Sequence, residues 1–142
     1  MREENGVSVR ITSSKLPAAD IAARVGLTGD NSWAAGATYG VFGATEKQHG
    51  LSLQSRLGPS APLEEHFREM LKRLAPAAQK LGLLAAEVEV VFACTVHSRR
   101  APALHFDRDS LRWLGAMQAR LEIDTVVISE APKPAAGKPT GG

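Results

Sequence analysis

The chain predicts an α+β domain: a mixed, largely antiparallel sheet with its helices packed on one face. Three observations carry this expectation. Val7, Val9 and Ile11 alternate with Ser8, Arg10 and Thr12, the two-residue period of a half-buried strand. The stretch PLEEHFREMLKRLAPAAQKLGLL from Pro62 feeds an amphipathic helix into the strand EVEVVFACTV. From Asp107, DRDSLRWLGAMQARL runs into EIDTVVIS with almost no loop. The predicted order is strand, helix, two strands, helix, two strands, helix, strand. Its first six elements follow the βαββαβ order of a ferredoxin-like unit, and the short connections favour antiparallel neighbours.

Each element has a local cause. Pro17 suits the start of a short helix whose Ile21, Ala22 and Val25 share a face, and Gly26 stops it. Residues Gly29 to Gly58 carry repeated glycines and read as a hairpin: strands at about Ala37 to Ala44 and Leu51 to Leu57, with a loop at Thr45 to Gly50. Leu51, Leu53 and Leu57 then face the core, with Ser52, Gln54 and Arg56 opposite; a surface loop over Trp33 to Gly43 is the rival reading.

Pro62 fits the first position of the next helix, with Glu64 and Glu65 at the positive end of its dipole and Lys72 and Arg73 at the negative end. Leu63, Phe67, Met70, Leu71 and Leu74 form its apolar stripe, and Pro76 ends or kinks it. Val88, Val90, Phe92, Cys94 and Val96 make one apolar strand face, and His97 to Leu104 read as a hairpin with its tip at Ser98 to Pro102. The last helix, capped by Asp107 or Asp109, presents Leu111, Leu114, Met117 and Leu121. Gly115 and Ala116 leave room for close approach to the sheet, which Ile123 to Ser129 completes.

Composition bounds the rest. The 142 residues, 44% hydrophobic and 23% charged, suit a single globular domain over residues 1–129. Residues 130–142, EAPKPAAGKPTGG, hold no large apolar side chain and read as a flexible tail. The start of the chain lacks a signal-peptide core, no apolar run is long enough to span a bilayer, and one cysteine makes no internal disulfide, so a cytoplasmic protein is expected. A net charge of +2 is no mandate for nucleic acid or an anionic membrane.

The opening VSVRITSSKLPAADIAARVGL, the helix PLEEHFREMLKRLAPAAQKLG with its internal Leu-Ala-Pro, the strand EVEVVFACTV and the ending LRWLGAMQARLEIDTVVIS together resemble the bacterial domain-of-unknown-function family DUF4279. The resemblance spans about Val7 to Ser129 and departs in the middle, where no Trp opens the strand at Leu51. It implies this fold and brings no activity, cofactor or catalytic residue with it.

Motifs for common chemistries are missing. Gly137 to Thr140 is not followed by a helix, Gly36, Gly40 and Gly43 miss the dinucleotide spacing, and Ser52 sits within a strand and not at a nucleophile elbow. Cys94 and His97, an odd number apart on one strand, point to opposite faces, which makes Cys94 a core residue. Aromatic residues are 5% of the chain, and no platform for RNA bases is readable.

Two constellations remain. A hairpin symmetric about Ala101 pairs His97 with His105, and with Asp107 they make a two-histidine, one-carboxylate set for a small metal-dependent or acid–base enzyme; two solvated histidines are the plain reading. The outward sheet face carries Arg10, Gln54 and Arg56 over a floor of Val91, Ala93 and Thr95. With His97 and His105 it reads as the ligand-binding surface of a non-catalytic binding or interaction module without a cofactor, for a small anionic ligand or a protein partner. Homodimerisation centred on Arg10, Gln54 and Val91, and an immunity-type role that blocks a partner enzyme, are the alternatives.

Overall fold

The computed structural model describes residues 3–128. The chain forms β1 (Glu4–Ser13), α1 (Ala18–Val25), β2 (Asn31–Trp33), β3 (Thr38–Tyr39), β4 (Ala44–Thr45), β5 (His49–Gln54), α2 (Leu63–Leu74), a 3-10 turn (Ala75–Ala77), α3 (Ala78–Leu83), β6 (Glu89–Ser98), α4 (Arg108–Met117) and β7 (Arg120–Val127). A five-stranded sheet has the order β2-β5-β1-β6-β7, and β3 and β4 make a separate small hairpin. All neighbours in the large sheet are antiparallel except β6 and β7.

The predicted α+β class and ferredoxin-like order are present. Both early crossovers, β1-α1-β2 and β5-α2-α3-β6, skip one intervening strand, which is the split βαβ arrangement. α4 then carries the chain from β6 to β7, since parallel neighbours need a crossover connection.

One face of the sheet makes the core. Val7, Val9 and Ile11 of β1, Leu51 and Leu53 of β5, and Val90, Phe92, Cys94 and Val96 of β6 are buried beneath α1, α2, α3 and α4. Phe67 of α2 lies 5.3 Å from Phe92 and 5.1 Å from Phe106, both centroid distances. Gly26 takes the left-handed conformation (φ 72°) and its N–H closes α1 onto the Ala22 carbonyl. Pro76 turns the end of α2 into the 3-10 segment, after which α3 resumes. Among the described residues no helix is long and apolar enough to cross a membrane. The predicted tail, 130–142, lies outside the described residues.

The structure departs from the sequence reading in five places. The strand at about Ala37 to Ala44 is absent as such: β5 pairs with β2, while residues 38–45 fold on themselves between Gly36, Gly40 and Gly43, all with positive φ. Leu57 is exposed because the chain leaves the sheet after Gln54. The hairpin at His97 to Leu104 does not form, since one edge of β6 pairs with β1 and the other with β7, leaving no edge for a returning strand. Finally, α4 ends at Met117 with Gln118 left-handed, so Leu121 belongs to β7 and Leu111 is exposed. The close approach expected beside Gly115 and Ala116 is helix to helix: the Ala116 carbonyl sits where a Cβ on Gly82 of α3 would lie.

Candidate functional site

The outward face of the sheet is read directly from strand parity. Ser8, Arg10 and Thr12 of β1 stand beside Ser52 and Gln54 of β5 and Val91, Ala93 and Thr95 of β6. The helices bury the opposite face. At the Arg10 end, the segment between β2 and β5 crosses the open face and builds a cleft of about 420 Å³ against it, walled by Arg10, Thr12, Tyr39, Glu46 and Lys47.

Arg10 is positioned from two sides. Its Nη2 lies 3.1 Å from Glu46 Oε1, and its guanidinium carbon lies 4.6 Å from the centroid of the Trp33 ring. Trp33 is held in turn by its Nε1–H, which donates to the Gln48 carbonyl at 3.1 Å. Gly50 makes this possible: a Cβ there would stand 2.6 Å from Trp33 Cζ2, so only a glycine lets the indole come that close to β5. Backbone hydrogen bonds between Gly36 N–H and the Glu46 carbonyl, and between Glu46 N–H and the Ala37 carbonyl, both 2.8 Å, secure the base of the crossing segment. Lys47 has no ion-pair partner among the described residues, so two cations face one carboxylate in this cleft.

The other predicted site residues are dispersed. Gln54 and Arg56 serve a bracket at the end of β5. Asp30 Oδ2 accepts the Gln54 N–H at 2.8 Å, and its Oδ1 lies 3.5 Å from both Arg56 and Arg73. That N–H, and then the two guanidiniums, hold the Asp30 carboxyl below its usual range. Arg73 Nη1 also donates to the Gln54 carbonyl at 2.7 Å.

His97, opposite Glu4 on β1, borders a hollow with Glu3, Asn5, Pro62 and Ser98. His105 lies in the loop before α4 and borders a different hollow with Glu64, Phe67, Arg68 and Asp107. Asp107 caps α4, its Oδ1 accepting the Ser110 N–H at 2.7 Å, and that bond lowers its pKa. The expected set of His97, His105 and Asp107 is therefore not assembled, because the cross-strand pairing that would bring the histidines together is missing. Among the described residues no group of three His, Cys, Asp or Glu side chains is placed to hold a metal ion. Burial pushes the Cys94 thiol up to about 12, as suits a core residue.

Sequence reasoning passed over Trp33, Glu46, Lys47, Ser55 and His66. His66 carried a signal: it stands three residues after Leu63 and four before Met70, inside the apolar stripe of α2, and it is buried. Trp33 and Glu46 carried none, since their meeting with Arg10 depends on how the segment between β2 and β5 folds.

Neither the curated proteins nor the solved structures include a match to this chain. The profile of one family, described as Domain of unknown function (DUF4279), matches residues 3–127, and the chain belongs to that family.

Proposed function

We propose that the protein is a non-catalytic binding module that takes a small anionic ligand in the cleft at the Arg10 end of the open sheet face. The observation that carries this reading is the prepositioned Arg10, fixed between Trp33 and Glu46 beside Lys47. An arginine already oriented loses little freedom when it binds, and Lys47 supplies the charge that Glu46 does not offset. Hydroxyls from Thr12, Tyr39 and Thr45 line the same cleft and suit an oxyanion. The single cysteine supports a cytoplasmic location for such a module.

A second reading, a protein partner on the same segment, is favoured by Val41 and Phe42. At the tip of the β3–β4 hairpin they are 91% and 97% exposed.

Titration of inorganic phosphate and citrate, followed by calorimetry and amide NMR shifts, tests the anion reading. Saturable binding is expected, weakened about tenfold by Lys47→Gln through loss of one charge-assisted contact. The melting temperature should not change. No saturable binding of either anion, or binding indifferent to Lys47→Gln, would overturn it.

A further inference from the structure

Strand β7 leaves a long edge of the sheet open. Of the two outer strands, β2 is three residues long, whereas β7 runs for eight, Arg120–Val127. Its phase follows from one bond: the Ile128 N–H donates to the Ser98 carbonyl of β6 at 2.7 Å. Backbone polar groups alternate sides along an extended strand, so the even-numbered residues of β7 bond to β6. Leu121, Ile123, Thr125 and Val127 turn their N–H and C=O groups outward, where no strand among the described residues meets them.

This edge lacks the usual protection. Natural sheets blunt a free edge with a proline, a bulge, a lysine or a charge turned toward the covered face. β7 has no proline or glycine and pairs with β6 in unbroken register, and its charges, Arg120, Glu122 and Asp124, all lie on the open face. The helix-side set of Leu121, Ile123, Thr125 and Val127 is uncharged. α4 packs against α3 and leaves the far end of this set uncovered: Ile123 is 38% and Val127 57% exposed, and Val126 on the other face is 42% exposed.

A second copy fits this edge by its own sequence. Two β7 strands can pair antiparallel about a two-fold axis perpendicular to the sheet, and the charges choose the register. An axis at Ile123 sets Glu122 against Asp124 on both sides, and an axis at Glu122 or Asp124 sets that carboxylate against itself. An axis at Leu121 sets Arg120 against Glu122, which already pair within one chain, and leaves Val127 beyond the paired stretch. An axis at Thr125 opposes Thr125 to itself, Ile123 to Val127 and Asp124 to Val126, so no like charges meet and the exposed apolar side chains cover one another. Opposed outward residues exchange both backbone groups, which gives about six hydrogen bonds across the seam. The geometry points to an interaction surface for a second copy of this chain: β7 pairs with β7 of that copy, antiparallel about Thr125, and the two sheets become one. The axis keeps both helix layers on one side and both Arg10 clefts on the other. A strand pair lies at the small end of specific interfaces, so the association is reversible and rises with concentration.

Sedimentation equilibrium of the full chain tests this, and a monomer–dimer equilibrium is expected. Thr125→Lys should weaken it at least tenfold by setting two lysines side by side at the axis, and Thr125→Glu should do the same. Thr125 is exposed, so each variant should keep its fold. Mixing the two should restore a heterodimer, which a folding defect would not allow. Cysteine substitutions fix the register: with oxidised glutathione, Thr125→Cys should give a disulfide-linked dimer and Ile123→Cys should not, since position 123 stands opposite Val127. Cys94 is buried and takes no part. Association indifferent to Thr125→Lys, or cross-linking through position 123 in place of 125, would overturn the inference. So would a monomer at every concentration up to about 1 mM, which would leave the edge to an extended peptide of another protein.

Discussion

Gly50→Ala adds one methyl group to β5, 2.6 Å from Trp33 Cζ2 and 2.9 Å from the Ile11 carbonyl oxygen. The indole must retreat until it reaches the 3.4 Å at which ordinary contact begins. On strand propensity alone, alanine should gain about 0.5–1 kcal/mol over glycine. Against that stand the Trp33–Gln48 hydrogen bond, about 1 kcal/mol, the Arg10–Trp33 contact, about 0.5–1 kcal/mol, and about 1–3 kcal/mol of overpacking against a carbonyl that cannot rotate away.

The balance is a loss of about 1.5–4.5 kcal/mol, read by urea denaturation. In a Trp113→Phe background, Trp33 is the sole tryptophan and its emission should shift to the red as it leaves β5. Phosphate binding should weaken in parallel, because Arg10 loses one of its two supports. A variant stabilised by the propensity gain, with Trp33 emission unchanged, would refute the role assigned to Gly50 and with it the construction of the cleft.

Other consequences are open to direct measurement. Phe92→Ala should cost about 3–5 kcal/mol in chemical denaturation, since Phe92 is fully buried against Phe67; a near-neutral result would reverse the faces of the sheet. Cys94, with its thiol pushed up to about 12, should resist a thiol reagent in the folded protein and react promptly in denaturant; rapid native labelling would contradict its burial. Asp30 and Asp107 bind protons more weakly folded than unfolded, so their stabilisation is complete above the ordinary aspartate value of 3.8 and is lost as the pH falls through the lowered folded values. The part of the acid-induced fall in melting temperature that these two carboxylates carry should therefore lie below the ordinary aspartate value. Asp30→Asn should shallow that fall, and a decline beginning well above that value would mean that other groups govern it.

Periodicity carried much of the fold. The alternation in β1 and β6 and the stripe on α2 identify the same buried residues that form the core, because spacing along a strand or helix determines which side chains share a face. Gly26 and Asp107 likewise act as the cap residues their local chemistry implies. For the site, the sequence singled out Arg10 and the outward parity of the face that bears it. It did not reveal the supports of Arg10.

What only the tertiary structure decided are meetings between residues distant along the chain. β6 had two edges to offer, and pairing with β7 on one of them removed the hairpin that would have joined His97 to His105. Trp33 and Glu46 reach Arg10 from a segment whose glycines permit several paths. His66 stands inside the apolar stripe of α2, and only the course of the chain after β5 places Ser55 beside it. Local spacing is a property of neighbours on the chain, whereas edge pairing and the completion of buried hydrogen bonds depend on which distant groups compete for the same place.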